Sequence, residues 1–223
     1  MAMPSSRRRR HRHNPPAKAS IKPNKTILIV SEGPVTERQY VEGLGRLIGN
    51  TGVRVVFSGK HGVPRTIVEA AKEECLELRA VHREAYDEVW CLFDRDKHPR
   101  FEESIQIALA RGYRLAVSNP CIELWLWLHH RPSPGAQTHT HMQDLLKDQL
   151  DTEYDKHIRE DFYFSKLMAA VAAAFRLDKQ AIEDGEPPFG NPSTSMYKLV
   201  LSIASKADDE GFINGWEWLA RYQ

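Results

Sequence analysis

No apolar run in these 223 residues approaches the roughly 18 to 20 that a membrane-spanning helix needs, and no apolar segment of the signal-peptide kind stands near the N-terminus. Both absences lead us to expect a cytoplasmic protein that engages no membrane. Cysteine is scarce too. Cys75, Cys91 and Cys121 are odd in number, widely spaced and set in apolar or helical surroundings. They read as small buried hydrophobes in a reducing compartment, which excludes a disulfide framework, and no Cys/His pattern completes a zinc set. Internal repeats are missing as well.

Acid is missing from the first 25 residues, which hold eight of the 31 basic ones: Arg7, Arg8, Arg9, Arg10, Arg12, Lys18, Lys22 and Lys25. The remainder carries 23 basic against 30 acidic residues, a net −7 hidden beneath an overall +1. Pro4, Pro15, Pro16 and Pro23 interrupt the basic stretch, which has almost nothing apolar to bury. Residues 1–24 are therefore expected to form a disordered tail. Such a tail is either an electrostatic arm for a nucleic-acid backbone or simply a solvated extension. An acidic body that met phosphates through its carboxylates would need cations between them.

What is present from Lys25 onward is an alternation of strand and helix patterns. Strands are expected at 26–30, 53–57, 88–93 and 113–117, and helices at 36–48, 64–82 and 101–111. Repeated βα units with right-handed crossovers make a parallel sheet covered on both faces. The expected class is thus α/β, a Rossmann-like parallel sheet of about four strands flanked by helices over 25–130. A helical C-terminal part is expected over 131–223, packed on or near that core. Its helices are expected at 141–150, 161–175, 193–206 and 212–222, with 185–192 as a loop, after a buried helix at 122–130 and a Pro/Gly break.

Two of the strand patterns end in acid. Thr26-Ile27-Leu28-Ile29-Val30 runs into Ser31-Glu32-Gly33, and Val89-Trp90-Cys91-Leu92-Phe93 runs into Asp94-Arg95-Asp96. In a parallel sheet both ends fall on one edge, where Gly33 allows a sharp turn after Glu32, and Asp94 and Asp96 alternate to one side with Arg95 on the other. Hard oxygen ligands at this spacing suit Mg²⁺ bound together with substrate phosphate. Each acid has a plainer reading as a turn or helix-start residue. Lys60 and His61, in the loop after the second strand, fall on the same edge and suit phosphate; a flexible basic loop is the plainer alternative. His139, His141, His129 and His130 carry no completed metal pattern, and His129 beside Trp127 reads as a packed helix residue. Trp125, Trp127, Trp216 and Trp218 read as core anchors rather than base-stacking platforms. Asn191-Pro192-Ser193-Thr194 reads as a loop and helix cap, with Ser193 or Thr194 as the capping residue.

Taken together, 27–33, Thr36-Glu37 with Tyr40, 89–96, the block Ser118-Asn119-Pro120-Cys121-Ile122-Glu123-Leu124-Trp125-Leu126-Trp127-Leu128-His129, and 191–194 resemble the RloB-like family. That resemblance extends over about 26–200 and leaves out the basic tail. It implies a Toprim-type fold and a divalent-metal phosphodiester enzyme, most simply an endonuclease using Mg²⁺ or Mn²⁺ in bacterial antiphage defence. Its implied partners are nucleic acid, whether DNA or RNA and including tRNA, and an ATPase; a homo-oligomer is compatible. Glu32 matches the Toprim glutamate, Asp94 and Asp96 its paired aspartates, and Glu37 the second glutamate of nuclease-type members that helps hold a second metal. Ser118, Asn119 and Glu123 match the family's own block, which implies substrate contacts for Ser118 and Asn119 and a catalytic acid for Glu123. For Glu123 a buried acid bracing the tryptophan helix is the structural alternative.

Two other function classes fit parts of the pattern. Phe93-Asp94-Arg95-Asp96 is similar to the first motif of haloacid-dehalogenase-like phosphatases, although two strand–helix units precede it here and Glu32 would stand idle. A non-catalytic sensor or partner-binding subunit would use the acidic edge for structure alone.

Overall fold

The computed structural model describes residues 25–49, 52–95, 98 and 100–204. The expected basic tail at 1–24 and the expected last helix at 212–222 lie outside the described residues, as does Asp96. The elements are β1 (Lys25–Ser31), α1 (Thr36–Ile48), β2 (Val53–Phe57), α2 (Pro64–His82), β3 (Glu88–Asp94), α3 (Phe101–Ala110), β4 (Arg114–Asn119), α4 (Ile122–Trp127), α5 (His139–Gln149), α6 (Glu160–Phe164), α7 (Leu167–Glu183), β5 (Ser193–Thr194) and α8 (Met196–Ala204). No helix among the described residues is long and apolar enough to cross a membrane.

The sheet runs in the order β2-β1-β3-β4-β5, with the first four strands parallel and β5 antiparallel to β4. Side chains that alternate along a strand separate onto two faces. Ile27 and Ile29 of β1 join Trp90, Leu92 and Ala116 on one face, under α1 and the helices from α4 to α8. Leu28 and Val30 join Cys91, Phe93 and Val117 on the other, under α2 and α3. Strands buried on both faces read as unbroken apolar runs, which is why β1 and β3 stand out in the sequence.

Three elements differ from expectation. The apolar pattern over 161–175 predicts one helix, but the chain turns at Ser165 and Lys166, so that Phe164 meets Tyr40 of α1 while Leu167, Ala170 and Val171 pack in the sheet-facing core. Residues 193–206 do not begin as a helix. Ser193 and Thr194 pair with Asn119 and Ser118 as a fifth strand, and α8 starts at Met196, whose N–H still finds Thr194 Oγ1 at 3.4 Å. The same pairing draws β4 two residues past its expected end. A two-residue strand carries no periodicity to read, and pairing across 75 or so residues of chain is a tertiary event.

Candidate metal and phosphate site

From the centrally placed β1 the chain leaves through α1 to β2 on one side, and returns over α2 to β3 on the other. Because the two crossovers diverge on opposite faces, they leave a crevice beyond the carboxyl ends of β1 and β3. Glu32 stands there. Its backbone N–H extends the ladder by one step to Leu92 O at 2.9 Å, and its Oε2 accepts the N–H of Asp94 at 3.1 Å. The acids that close β1 and β3 are therefore joined directly, 62 residues apart in sequence.

Glu37, in the first turn of α1, is buried, and its Oε1 lies 3.4 Å from the Gly33 N–H that points to it. Burial pushes its carboxyl up, backbone hydrogen bonds pull it back in part, and the charges of Glu32 and Glu123 push it up further. Glu32, Glu37 and Glu123 thus belong to one electrostatic group. The chain bends over residues 32–35 as expected, although Gly33 itself is not in a left-handed conformation. A Cβ there would lie 2.9 Å from Glu37 Oε2, so glycine makes room for a carboxylate.

The remaining expected site residues divide. His61 arrives at the edge, its Nδ1 3.1 Å from Ser31 O. Lys60 is taken up in an exposed ion pair with Glu73 of α2 at 2.6 Å. Ser118 and Asn119 are buried and structurally engaged, Ser118 Oγ with Thr194 Oγ1 at 2.9 Å and Asn119 Nδ2 donating to Phe189 O at 2.7 Å. They fasten the 185–194 segment to β4. Arg95 turns to the α3 side, donating to Pro188 O, Phe189 O and Glu102 and lying over the Phe101 ring.

Glu123 sits beneath this edge, fully buried. Its Oε1 accepts from Gln143 Nε2 at 3.0 Å, Tyr154 Oη at 3.0 Å and Lys156 Nζ at 2.7 Å, while Oε2 is buried with no hydrogen-bond partner. Burial raises its carboxyl, but the adjoining Cys121 thiol and the Lys156 ammonium outweigh this and hold it below the ordinary glutamate range. The thiol neighbours the carboxylate without meeting hydrogen-bond geometry to Oε2. An unsatisfied buried oxygen of this kind costs about 1–3 kcal/mol.

Sequence reasoning missed several partners of the acids. His98 Nε2 lies 3.4 Å from Glu32 Oε1, and the only signal for it was its place in the loop that follows Asp94. Gln143, Tyr154 and Lys156 reach Glu123 from 20 to 33 residues away and carried no signal. The expectation of buried, hydrophobe-like cysteines holds for Cys91, whose thiol burial pushes up to about 12. Cys121 is likewise buried, within the sheet-facing core, whereas Cys75 is only half-buried. Among the described residues, Cys121, Glu123 and His139 are the one group of three or more ligating side chains whose donor atoms lie within 4.8 Å of one another. His129 is a packed helix residue as expected, sharing contacts at 3.0 Å with Tyr40 Oη and 2.9 Å with Trp125 O, and burial pushes it down to about 3.

A family model described as RloB-like protein matches residues 27–203. The chain belongs to the RloB-like family. No curated protein and no solved structure matches it. In this RloB-like chain the matched region begins inside β1 and ends in α8, so it takes in both acid-tipped strands and the buried layer around Glu123.

Proposed function

We propose that this RloB-like protein hydrolyses phosphodiester bonds in nucleic acid, with Mg²⁺ or Mn²⁺ held at the carboxyl ends of β1 and β3. The observation that carries this reading is the direct junction of Glu32 Oε2 with the Asp94 N–H at the switch point of the sheet. The donor chemistry fits a hard cation. Glu32, Glu37 and Asp94 offer oxygen only; burial raises Glu37 most, and the repulsion by Glu32 and Glu123 that adds to it is what a divalent cation would relieve. Glu32 and Asp94 would be the ligands, with Glu37 assisting; Asp96, the further ligand that the family resemblance implies, lies outside the described residues. Held by these carboxylates, such a cation would supply charge neutralisation and Lewis acidity at a phosphoryl oxygen.

The chain's own groups supply the rest. The Asp94 N–H orients the Glu32 carboxylate, and His98, 3.4 Å from Glu32 Oε1, and His61, beside Ser31 O, are the imidazoles at hand to carry a proton. Glu123 is not in the reacting set; with Oε1 held by three donors it fixes the layer below. Following the family resemblance, the setting is antiphage defence in the cytoplasm, with an ATPase as partner.

Incubating the full chain with Mg²⁺ or Mn²⁺ and a panel of DNA, tRNA and other RNA tests the proposal. Internal cleavage should occur with the wild type and fall at least a hundredfold in Glu32→Gln and in Asp94→Ala at unchanged thermal stability. Equal cleavage by Glu32→Gln sinks it, and phosphate release from small esters without polynucleotide cleavage would favour the phosphatase class instead.

A further inference from the structure

Below the oxygen-lined edge lies a second donor set of different chemical character. Cys121, at the start of α4, Glu123, one residue into it, and His139, the first residue of α5, bring one sulfur, one oxygen and one nitrogen within 4.8 Å of one another. Cys121 and Glu123 are both fully buried. We propose that Cys121, Glu123 and His139 bind a borderline transition-metal ion, Zn²⁺ by ligand type, at a site adjoining the proposed Mg²⁺ edge.

Three observations carry this. Glu123 has one oxygen saturated by Gln143, Tyr154 and Lys156, whereas Oε2 is buried with only the Cys121 thiol beside it and no partner in hydrogen-bond geometry. A buried carboxylate oxygen in that state calls for a water or an ion. Gln143 Nε2, which donates to Glu123 Oε1, also lies 2.8 Å from His139 Nε2, so a single amide ties two members of the set together. The thiol decides between the two occupants. Sulfur adds nothing to a water site, while a mixed S, N, O set is the ligand class of Zn²⁺ and its neighbours and is foreign to Mg²⁺. Burial, Glu123 and Asp94 hold the Cys121 thiol protonated in the ion-free protein, so binding releases that proton as the sulfur–metal bond forms.

Three protein ligands leave one tetrahedral position open. The ion would join α4 to α5 across the 128–138 connection, pinning the helix that carries Glu123 beneath the acidic edge. Gathering the set needs only small side-chain adjustments, since donor atoms around a tetrahedral ion at about 2.0–2.3 Å lie somewhat closer than the present spacing.

Titration of the chelator-treated full chain with Co²⁺ alone tests this. One equivalent should produce thiolate-to-cobalt absorption in the near ultraviolet with tetrahedral visible bands, bleached by equimolar Zn²⁺ and untouched by excess Mg²⁺. Cys121→Ser should lose the near-ultraviolet band, and His139→Asn should weaken binding at least tenfold. Zn²⁺ should raise the melting temperature of the wild type and not that of His139→Asn. Should Cys121→Ser fail to fold, the His139→Asn titration and melt decide alone. Absence of a thiolate band in the wild type, its survival in Cys121→Ser, or equal Co²⁺ affinity of His139→Asn overturns the proposal.

Discussion

A Cβ on Gly33 would stand 2.9 Å from Glu37 Oε2, against the tip of a flexible side chain rather than against backbone. Gly33→Ala should therefore leave the melting temperature nearly unchanged while pushing the Glu37 carboxylate off its position. We expect cleavage to drop roughly ten- to a hundredfold, the scale of a misplacement of about 1 Å, and parallel melting and cleavage measurements check it. His129 gives the pH prediction. Burial holds it down at about 3 against an ordinary 6.5, so its contribution to stability is complete above pH 6.5 and is lost as pH falls toward 3. Each pH unit in that window costs about 1.4 kcal/mol from this one group. In His129→Gln the fall of the urea midpoint between pH 6.5 and 4.5 should be shallower by one proton's worth. Identical slopes would mean that His129 takes up no proton on unfolding.

At the scale of elements, the crossing of α1 with α6 depends on a glycine for space alone. A Cβ on Gly43 would meet Phe164 Cε2 at 2.6 Å and the Glu160 side chain at 3.0 Å, with Phe164 itself packed edge-on against Tyr40. Gly43→Ala gains helix propensity but must part the two helices. Overpacking of this order costs about 1–3 kcal/mol, so we expect a net loss of several degrees in melting temperature. A melting temperature equal to or above wild type would show that α6 gives way freely. The α6–α7 turn follows the same logic. The apolar spacing over 161–175 is continuous, yet Tyr163 donates its hydroxyl to the buried Asp151 and Phe164 meets α1, contacts that a straight helix through Leu167 would not combine with the sheet-facing core. Sequence periodicity specifies that residues are buried; it does not specify against what.

For the whole molecule, charge is distributed unevenly, eight bases and no acid in the first 25 residues against a net −7 thereafter. Deleting residues 1–24, which lie outside the described residues, should weaken nucleic-acid binding and flatten its dependence on salt, because fewer counterions are released. An unchanged salt slope in a binding titration would remove the tail from that role. The sequence by itself determined the parallel α/β sheet, the span of α1, β2 and α2, and the placing of Glu32 and Asp94 at strand ends. These follow from local periodicity and from the rule that βα units wind one way, so that strand ends share an edge. Only the tertiary structure decided the rest. The fifth strand, the capture of Lys60 by Glu73, the approach of His98 to Glu32, the three donors on Glu123 and the meeting of Cys121 with His139 are contacts between segments whose own patterns carry no trace of one another. Local sequence fixes which face a side chain takes; which partner waits on that face is settled when distant elements pack.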